Sequence, residues 1–421
     1  MSDTALQIDP ELEAFDRFRV REIRVDCDRT ASKFQSIAAS LEPDERIKLK
    51  VAYAHNRSME SLKAVFSDPQ AYKICSLFWR YYGTEDVNFV IPLINSCPEL
   101  ALLQVEFRNH SEFDFVSSVL EYPSNKVKVL DVPRYTKGDL PRFFAALGQS
   151  QVSALALFDN GSPEFVQGLR DYLAKDLLVR LKVSGHKQVP SELIVPLANC
   201  TRLTKLEMYW GEFSQSTAFT LPKSVTKLVL SGCKFVGGFD WSFLADNNVR
   251  ELDLDYLGGV DGNQLGDTLA VHLRTKGLDK LFLRDCDFTN GTLAVVGVEL
   301  GRTKRLGIDN YLNDASVELI ALVLQSPNSE LKELSLWHGG MANSIKTHLV
   351  PALKHPNCNL VKLSLLAYEE REEVAGRLED TFRNRLALFV LLQGKQVRRR
   401  SPCPLRRLPV EMFRLVSKML I

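Results

Sequence analysis

The sequence lacks the features that would mark a membrane segment, a secreted chain or a nucleic-acid binder. It has no excess of one charge, since 53 Lys and Arg residues face 52 Asp and Glu residues for a net charge of +1. That balance argues against a globally basic nucleic-acid binder. The longest strictly apolar run, 386–392, is far shorter than the roughly 20 residues that cross a bilayer. The first residues carry neither a basic nor an apolar stretch, so we expect no secretory signal.

The sequence also lacks recognisable motifs of catalysis or metal binding. Its eight cysteines include no Cys-x-x-Cys pair, which argues against a zinc framework and against a dense disulfide scaffold. Its seven histidines are scattered without metal-ligand spacing. The fingerprints of nucleotide-binding loops, zinc proteases and serine hydrolases do not occur. We therefore expect a reduced protein of the cytoplasm or nucleus that has no catalytic residue, no cofactor and no metal.

What the sequence does contain is one short pattern, apolar-x-x-apolar-x-apolar, repeated along most of its length. The interval between copies averages about 26 residues, which is typical of leucine-rich repeats. A single copy arises easily by chance, but a long series in register does not. The copies start at positions 20, 46, 74, 102, 127, 152, 178, 203, 225, 249, 278, 303, 331 and 360.

The pattern predicts one strand and one helix in each repeat. The fourth and sixth positions alternate with polar neighbours, as in a half-buried strand, and leucines four residues apart over 263–274 mark one face of a helix. Stacked units would form an α/β solenoid shaped like a horseshoe, with a parallel sheet on the concave side and helices outside. We predict an N-terminal cap over 1–19, the repeat array over 20–382 and a basic helical tail over 383–421.

Two segments carry a resemblance to known repeat families. Residues 353–365, Leu-Lys-His-Pro-Asn-Cys-Asn-Leu-Val-Lys-Leu-Ser-Leu, resemble the ribonuclease-inhibitor type of leucine-rich repeat, which is also found in NOD-like receptors. Residues 278–300, with Cys286 at the ninth repeat position, are similar to the cysteine-containing repeats of F-box proteins. In such repeats the ninth position turns inward, which implies a structural role for Cys233 and Cys286.

Aromatic and arginine side chains recur at the seventh and eighth repeat positions, which follow the last buried strand residue. Trp, Tyr and Arg are enriched at protein-interface hot spots, and the fold does not require them there. We predict a partner-binding surface on the concave face, although single members could instead pack against neighbouring loops as ordinary partly buried aromatics. The predicted surface comprises Tyr81, Tyr209, Trp210, Tyr256, Arg284, Trp337 and His338.

An acidic group falls on one predicted strand. Glu251, Asp253 and Asp255 alternate and so share one strand face. A calcium site would need more oxygen ligands converging on one small volume. We therefore predict a solvated acidic strand face.

The tail differs in charge from the rest of the chain. Residues 383–421 hold ten Lys or Arg against Glu411 alone, which gives +9 and leaves −8 for the remainder. A short apolar helix is predicted over 386–393, closed by Gly394. A basic linker follows over 395–402 and could serve nuclear import.

The last segment, 405–421, is predicted to form an amphipathic helix. Its Leu-Pro-x-Glu opening resembles the start of an F-box, and more loosely the elongin-binding box of other cullin adaptors. The helix could equally cap the apolar edge of the last repeat. Its predicted docking stripe comprises Leu408, Met412, Leu415 and Met419.

These observations favour a non-enzymatic scaffold that binds partner proteins on the concave repeat face. The tail helix implies an alternative, a substrate adaptor that recruits ubiquitin-ligase components. A third hypothesis is a Ran-type GTPase activator, because those proteins use similar repeats, although their tail is typically acidic and this one is basic. We expect neither nucleic acid nor membrane among the partners.

Overall fold

The fold was examined in a computed structural model. The structure describes part of the chain. The described residues are 19–25, 30–42, 45–54, 65, 67, 71, 73–81, 91–107, 112–132, 138–159, 161–185, 191–214, 219–237, 239–337, 344–365 and 389–390.

The chain divides into two compact units, Met1–Leu203 and Thr204–Ile421. The first unit alternates strands with helices, and each strand pairs in parallel with the next strand in chain order. Its strands are β1 (Arg19–Val25), β2 (Glu45–Ala54), β3 (Ile74–Tyr81), β4 (Leu102–Phe107), β5 (Val129–Val132), β6 (Ala154–Asp159) and β7 (Arg180–Gly185). Its helices are α1 (Thr30–Ala39), α2 (Ile91–Asn95), α3 (Glu112–Leu120), α4 (Leu140–Gln149), α5 (Pro163–Leu173) and α6 (Ser191–Ala198).

The second unit continues the same alternation. Its main sheet is parallel in the order β8, β10, β12, β13, β14, β15, β16, β17, and β9 pairs in parallel with β11 in a small second sheet. The strands are β8 (Lys205–Tyr209), β9 (Glu212–Ser214), β10 (Lys227–Ser231), β11 (Lys234–Val236), β12 (Glu251–Asp255), β13 (Leu278–Arg284), β14 (Thr303–Asp309), β15 (Glu333–Leu336), β16 (Lys362–Leu365) and β17 (Phe389–Val390).

Helices connect most of these parallel strands, since a parallel pair cannot be joined by a tight hairpin. Asp261 begins the longest one by accepting hydrogen bonds from the backbone N–H groups of Asn263 and Gln264. The α-helices of the second unit are α7 (Phe243–Asp246), α8 (Gly262–Lys276), α9 (Thr289–Val296), α10 (Asp314–Gln325) and α11 (Val350–Leu353). Gly297–Arg302 forms a 3₁₀-helix and Ile345–Leu349 a π-helical turn.

The core lies between the sheet and the helices of each unit. The alternate strand residues that face the helices are almost completely buried, as with Leu252 and Leu254 on β12. Leu265, Leu269 and Leu273 of α8 pack from the other side with no exposed surface. Because a strand alternates its side chains, the remaining strand residues are displayed on the opposite face of the sheet.

The predicted repeat positions coincide with observed strands. A strand begins within two residues of each of the fourteen predicted starts. The fourth position is buried in copies as weak as that at position 46, where it is Leu49. The mixed α/β class with a large parallel sheet is therefore as predicted. The division after Leu203 falls inside the predicted array 20–382, whose continuity stays a prediction.

One part of the tail differs from the prediction. Residues 389–390 form β17, which pairs in parallel with β16, whereas the sequence predicts a helix over 386–393. Phe and Val favour strands, and a short apolar run does not distinguish the two structures by its periodicity. The other residues of 383–421 lie outside the described residues, as do residues 1–18 of the predicted cap over 1–19; residue 19 begins β1. Among the helices given above, none combines the length and apolar character that crossing a bilayer requires.

Candidate functional site

The second unit presents rows of side chains on the face of its sheet that points away from the helices, here called the strand face. The strand register aligns one residue from each strand in a row. Every member of the first row is charged, and each stands immediately before the first of the two alternate buried residues of its strand, as Glu251 does before Leu252. This row comprises Lys205, Lys227, Glu251, Lys280, Arg305, Glu333 and Lys362.

Opposite charges in this first row pair between strands, either adjacent or one strand apart. Glu251 lies 3.0 Å from Lys227 on one side and 3.2 Å from Arg305 on the other, and Lys362 lies 3.6 Å from Glu333. Burial raises the pKa of Glu251, but the hydrogen bond from Lys227 and the nearby cations outweigh this effect, so that the pKa is lowered overall. The strand face therefore holds much of its charge in internal pairs.

An aromatic group interrupts the charges of the strand face. Phe282 of β13 and Trp337, which follows β15, meet edge to face with ring centroids 5.7 Å apart. Gly307 of β14 lies between them, and a Cβ atom there would stand 2.5 Å from the Phe282 ring. Lys280 Nζ lies 4.0 Å from the centroid of the Phe282 ring, a cation–π geometry. The side chain missing at Gly307 thus makes room for the Phe282 ring.

At the carboxyl ends of the strands, four residues occupy one equivalent position and have a left-handed backbone. We call Trp210, Gly232, Tyr256 and Asp285 the turn row; their φ angles are 60°, 65°, 50° and 45°. Each N–H donates to a carbonyl of the next strand, for example from Trp210 to Ser231 at 2.8 Å and from Tyr256 to Arg284 at 2.9 Å. Successive members therefore lie about one strand spacing apart, roughly 4.8 Å.

The left-handed turn sends the chain inward immediately after the strand. The residues that follow the turn row, including Cys233, Leu257 and Cys286, are buried, and the turn-row side chains are left on the outside. A left-handed backbone is unfavourable for residues other than glycine, by roughly 1–2 kcal/mol. Tertiary hydrogen bonding and burial of the next residue hold Trp210 and Tyr256 in this conformation.

Trp210 and Tyr256 are the exposed aromatic residues of the turn row. The exposed fraction is 53% for Trp210 and 59% for Tyr256. The Trp210 ring lies against the backbone of Gly232, where a Cβ atom would come within 2.5 Å of ring atom Cε3. Glycine is thus required at position 232 for two reasons, the positive φ angle and the close approach of the Trp210 ring. The two aromatic side chains are separated by two strand spacings, roughly 10 Å.

Carboxylates surround Tyr256. Its hydroxyl is hydrogen-bonded to Asp285, and this contact together with the negative charges of Asp285, Asp255 and Asp309 raises the pKa of Tyr256. Asp255 accepts a hydrogen bond from Ser231 Oγ at 2.9 Å. Burial raises the pKa of Asp255, because a desolvated carboxylate is less stable in its charged form.

The predicted partner-binding residues lie in different environments. Trp210 and Tyr256 are exposed, whereas Tyr209 and Trp337 are half-buried. Arg284 Nη2 donates to both carboxylate oxygens of Asp253, at 2.9 and 2.8 Å.

The side chains of the other predicted site residues lie outside the part of the chain that the structure describes. Tyr81 lies in β3, opposite Phe107 of β4, and its side chain is outside the described residues. His338 and the tail stripe of Leu408, Met412, Leu415 and Met419 also lie outside them. The adaptor hypothesis, which rests on 405–421, stays a prediction.

The prediction of a solvated acidic face on β12 is wrong. Asp253 is buried and paired with Arg284, and Glu251 is paired with Lys227 and Arg305. These partners come from the other strands β10, β13 and β14, so the pattern within one strand could not reveal them. Within the described ranges, no group of three or more His, Cys, Asp or Glu residues could hold a metal ion.

The thiols at the ninth repeat position are buried and protonated. Cys233 Sγ lies 3.5 Å from the carbonyl oxygen of Met208, and Cys286 Sγ lies 3.0 Å from that of Arg284. Burial raises the pKa of Cys233 to about 11 and that of Cys286 to about 12. A thiol in this state is a poor nucleophile at neutral pH.

Two residues of the site were missed by sequence reasoning. Asp285 stands at the eighth repeat position beside Arg284, but only aromatic and arginine side chains were selected there. Gly307 lies inside a predicted strand, and a glycine there often marks a close approach of another group. Comparison with known proteins adds no family to this description, since no protein-family model and no curated protein matches the chain.

Proposed function

We propose that this protein is a non-enzymatic scaffold that binds partner proteins, with the turn row of the second unit as the centre of its binding surface. The parallel strands and connecting helices would be those of a leucine-rich-repeat solenoid of the ribonuclease-inhibitor type. The observation that carries the proposal is the exposure of Trp210 and Tyr256 at equivalent ends of β8 and β12, the two strands on either side of β10.

The exposed aromatic rings favour a binding role over a structural one. Trp210 and Tyr256 each adopt a backbone conformation that is unfavourable for a residue with a side chain. Neither side chain is fully buried in the fold, so burial of the ring does not offset this unfavourable energy. Trp and Tyr contribute large contact areas with little loss of side-chain entropy, which is why they dominate interface hot spots. A partner that covers both rings would gain that area.

The charged first row of the strand face supports a role in orienting the bound partner. Charges already paired within the sheet, such as Lys227 with Glu251, contribute little net attraction. Their arrangement still distinguishes partners, because a mismatched charge would leave one of these groups desolvated and unpaired. We propose that the partner is a protein of the cytoplasm or nucleus, bound without nucleic acid.

Affinity purification with matched variants tests the proposal. The full chain, the double variant Trp210→Ala/Tyr256→Ala and the control Tyr122→Ala would be compared by quantitative mass spectrometry. Tyr122 is an exposed aromatic residue after α3 in the first unit, outside the turn row. We expect specific partners to be retained by Tyr122→Ala and reduced at least tenfold for the double variant. Equal retention by both variants would contradict the proposal, provided that circular dichroism shows both to be folded.

A further inference from the structure

The end of the turn row around Tyr256 carries carboxylates beside its exposed aromatic ring. Asp255 ends β12, Asp285 follows β13, and Asp309 ends β14. Asp285 is itself an exposed member of the turn row. Arg284 is bound to a fourth carboxylate, that of Asp253, and its charge also acts on Asp255 and Asp309. Among the described residues, the carboxylates of Asp253, Asp255, Asp285 and Asp309 at this edge outnumber the cation Arg284 that lies among them.

The behaviour of two ionisable groups is consistent with a negative local potential. The pKa of Tyr256 is raised by its hydrogen bond to Asp285 and by the surrounding carboxylates. Burial raises the pKa of Asp255; the charge of Arg284 and the hydrogen bond from Ser231 oppose this effect, and the charges of Asp253 and Asp285 add to it. Both groups would be stabilised in their ionised forms by a cation placed at this edge.

We infer that the turn row binds a basic, arginine-rich segment of the partner protein, with guanidinium groups over the Trp210 and Tyr256 rings and beside Asp255 and Asp285. The inference rests on the proposed function and specifies the chemistry of the partner. A guanidinium stacks on an aromatic face and binds carboxylates at the same time. The fold already uses this type of contact at Lys280, whose Nζ lies over Phe282.

The spacing of the rings suits an extended peptide. Trp210 and Tyr256 lie roughly 10 Å apart, two strand spacings, and residues three apart in an extended chain are separated by about the same distance. An acidic segment or a nucleic acid would meet like charge at Asp255 and Asp285. The chain's own basic run, Lys395 to Arg400, has the same chemistry as the inferred partner segment and must be distinguished from it.

Peptide binding to the full chain tests the inference. Fluorescence anisotropy would measure a labelled eight-residue peptide with Arg at every third position and Gly elsewhere against its Glu counterpart. We expect the Arg peptide to bind and the Glu peptide not to bind. Asp255→Asn/Asp285→Asn should weaken binding about tenfold, in line with two contacts of up to roughly 1 kcal/mol each. The control Glu164→Gln/Asp171→Asn removes the same charge from α5 and should leave the Kd within twofold.

The outcomes separate the inference from the proposed function. Suppose that Trp210→Ala/Tyr256→Ala loses its partners. If the Arg peptide then fails to bind the natural chain, or binds Asp255→Asn/Asp285→Asn equally well, the basic-partner inference is wrong and the proposed function stands. If the aromatic variant keeps its partners, the proposed function itself fails. Arg peptide binding only to Arg398→Gln/Arg399→Gln/Arg400→Gln would show that the chain's own run occupies the turn row, which overturns the assignment to a partner.

Discussion

Arg284 on β13 and Asp253 on β12 form a two-oxygen ion pair on the strand face, in which Nη2 of the arginine lies 2.9 and 2.8 Å from the two carboxylate oxygens. Asp253 is 9% exposed. A mostly buried carboxylate needs such a partner, because an unpaired charge in that position is costly. Arg284 therefore stabilises the fold through its ion pair with Asp253, in addition to any contact that it makes with a partner.

The first prediction concerns this ion pair. Arg284→Met should lower the free energy of unfolding by about 2–3 kcal/mol, since it leaves the Asp253 carboxylate without its main cation. Adding Asp253→Leu should restore most of the loss, because the unpaired charge is then removed as well. Urea unfolding of the natural chain and both variants measures this. A double variant no more stable than Arg284→Met would contradict the account.

The second prediction separates stability from binding at Tyr256. Tyr256→Gly should leave stability unchanged or raise it by about 1 kcal/mol, because glycine adopts a positive φ without strain. The same change should reduce partner binding. Tyr311 is an exposed tyrosine that is not among the residues with positive φ, so Tyr311→Gly should destabilise the fold by roughly 0.5–1 kcal/mol. Thermal unfolding combined with affinity purification checks both effects.

The third prediction concerns the space over β14. Gly307→Ala should destabilise the fold by about 1–2 kcal/mol, because its Cβ would lie 2.5 Å from the Phe282 ring and force it to move. Gly258 has open space around the same atom and no left-handed φ. Gly258→Ala should therefore be neutral or slightly stabilising. Equal unfolding midpoints for the two variants in urea would show that Phe282 does not depend on Gly307.

The fourth prediction concerns pH. His272 of α8 is buried, with Nδ1 2.7 Å from the carbonyl oxygen of Leu244 and Nε2 2.8 Å from that of Val249. Burial lowers the pKa of His272, with a smaller contribution from the cations Lys276 and Arg250.

The unfolded chain then binds the proton more readily than the folded one. Stability should be unaffected above the unfolded-state pKa of about 6.5 and should fall as the pH drops below it. Urea unfolding between pH 7.5 and pH 5.5 measures this slope, and His272→Gln should reduce it. An unchanged slope in the variant would assign the pH dependence to other groups.

The sequence was sufficient to predict the strands because the same two apolar positions recur in each copy of the pattern. Leu252 and Leu254 of β12 show this pattern, and the register between strands follows from stacking the same unit. The pairing of Asp253 with Arg284 could not be predicted with the same certainty. This pairing depends on the side-chain rotamers of two residues on different strands, and a pattern within one strand does not specify them.

The turn row was only partly predictable for a related reason. The eighth repeat position identified Trp210 and Tyr256 through their residue type, and the structure places both on the outside. Trp337 stands at the preceding position and packs against Phe282 instead. Residue type alone cannot distinguish an exposed ring from one that finds a neighbour across the intervening strand.

The most direct test of the central claim uses the fluorescence of Trp210. The chain has four tryptophans; Trp79 and Trp241 are fully buried and Trp337 is half-buried. Acrylamide should therefore quench Trp210 most strongly, and Trp210→Phe should remove most of that quenching. Adding a partner captured by the natural chain should protect Trp210 from acrylamide. A bound partner that leaves the Trp210 quenching constant unchanged would contradict recognition through the turn row.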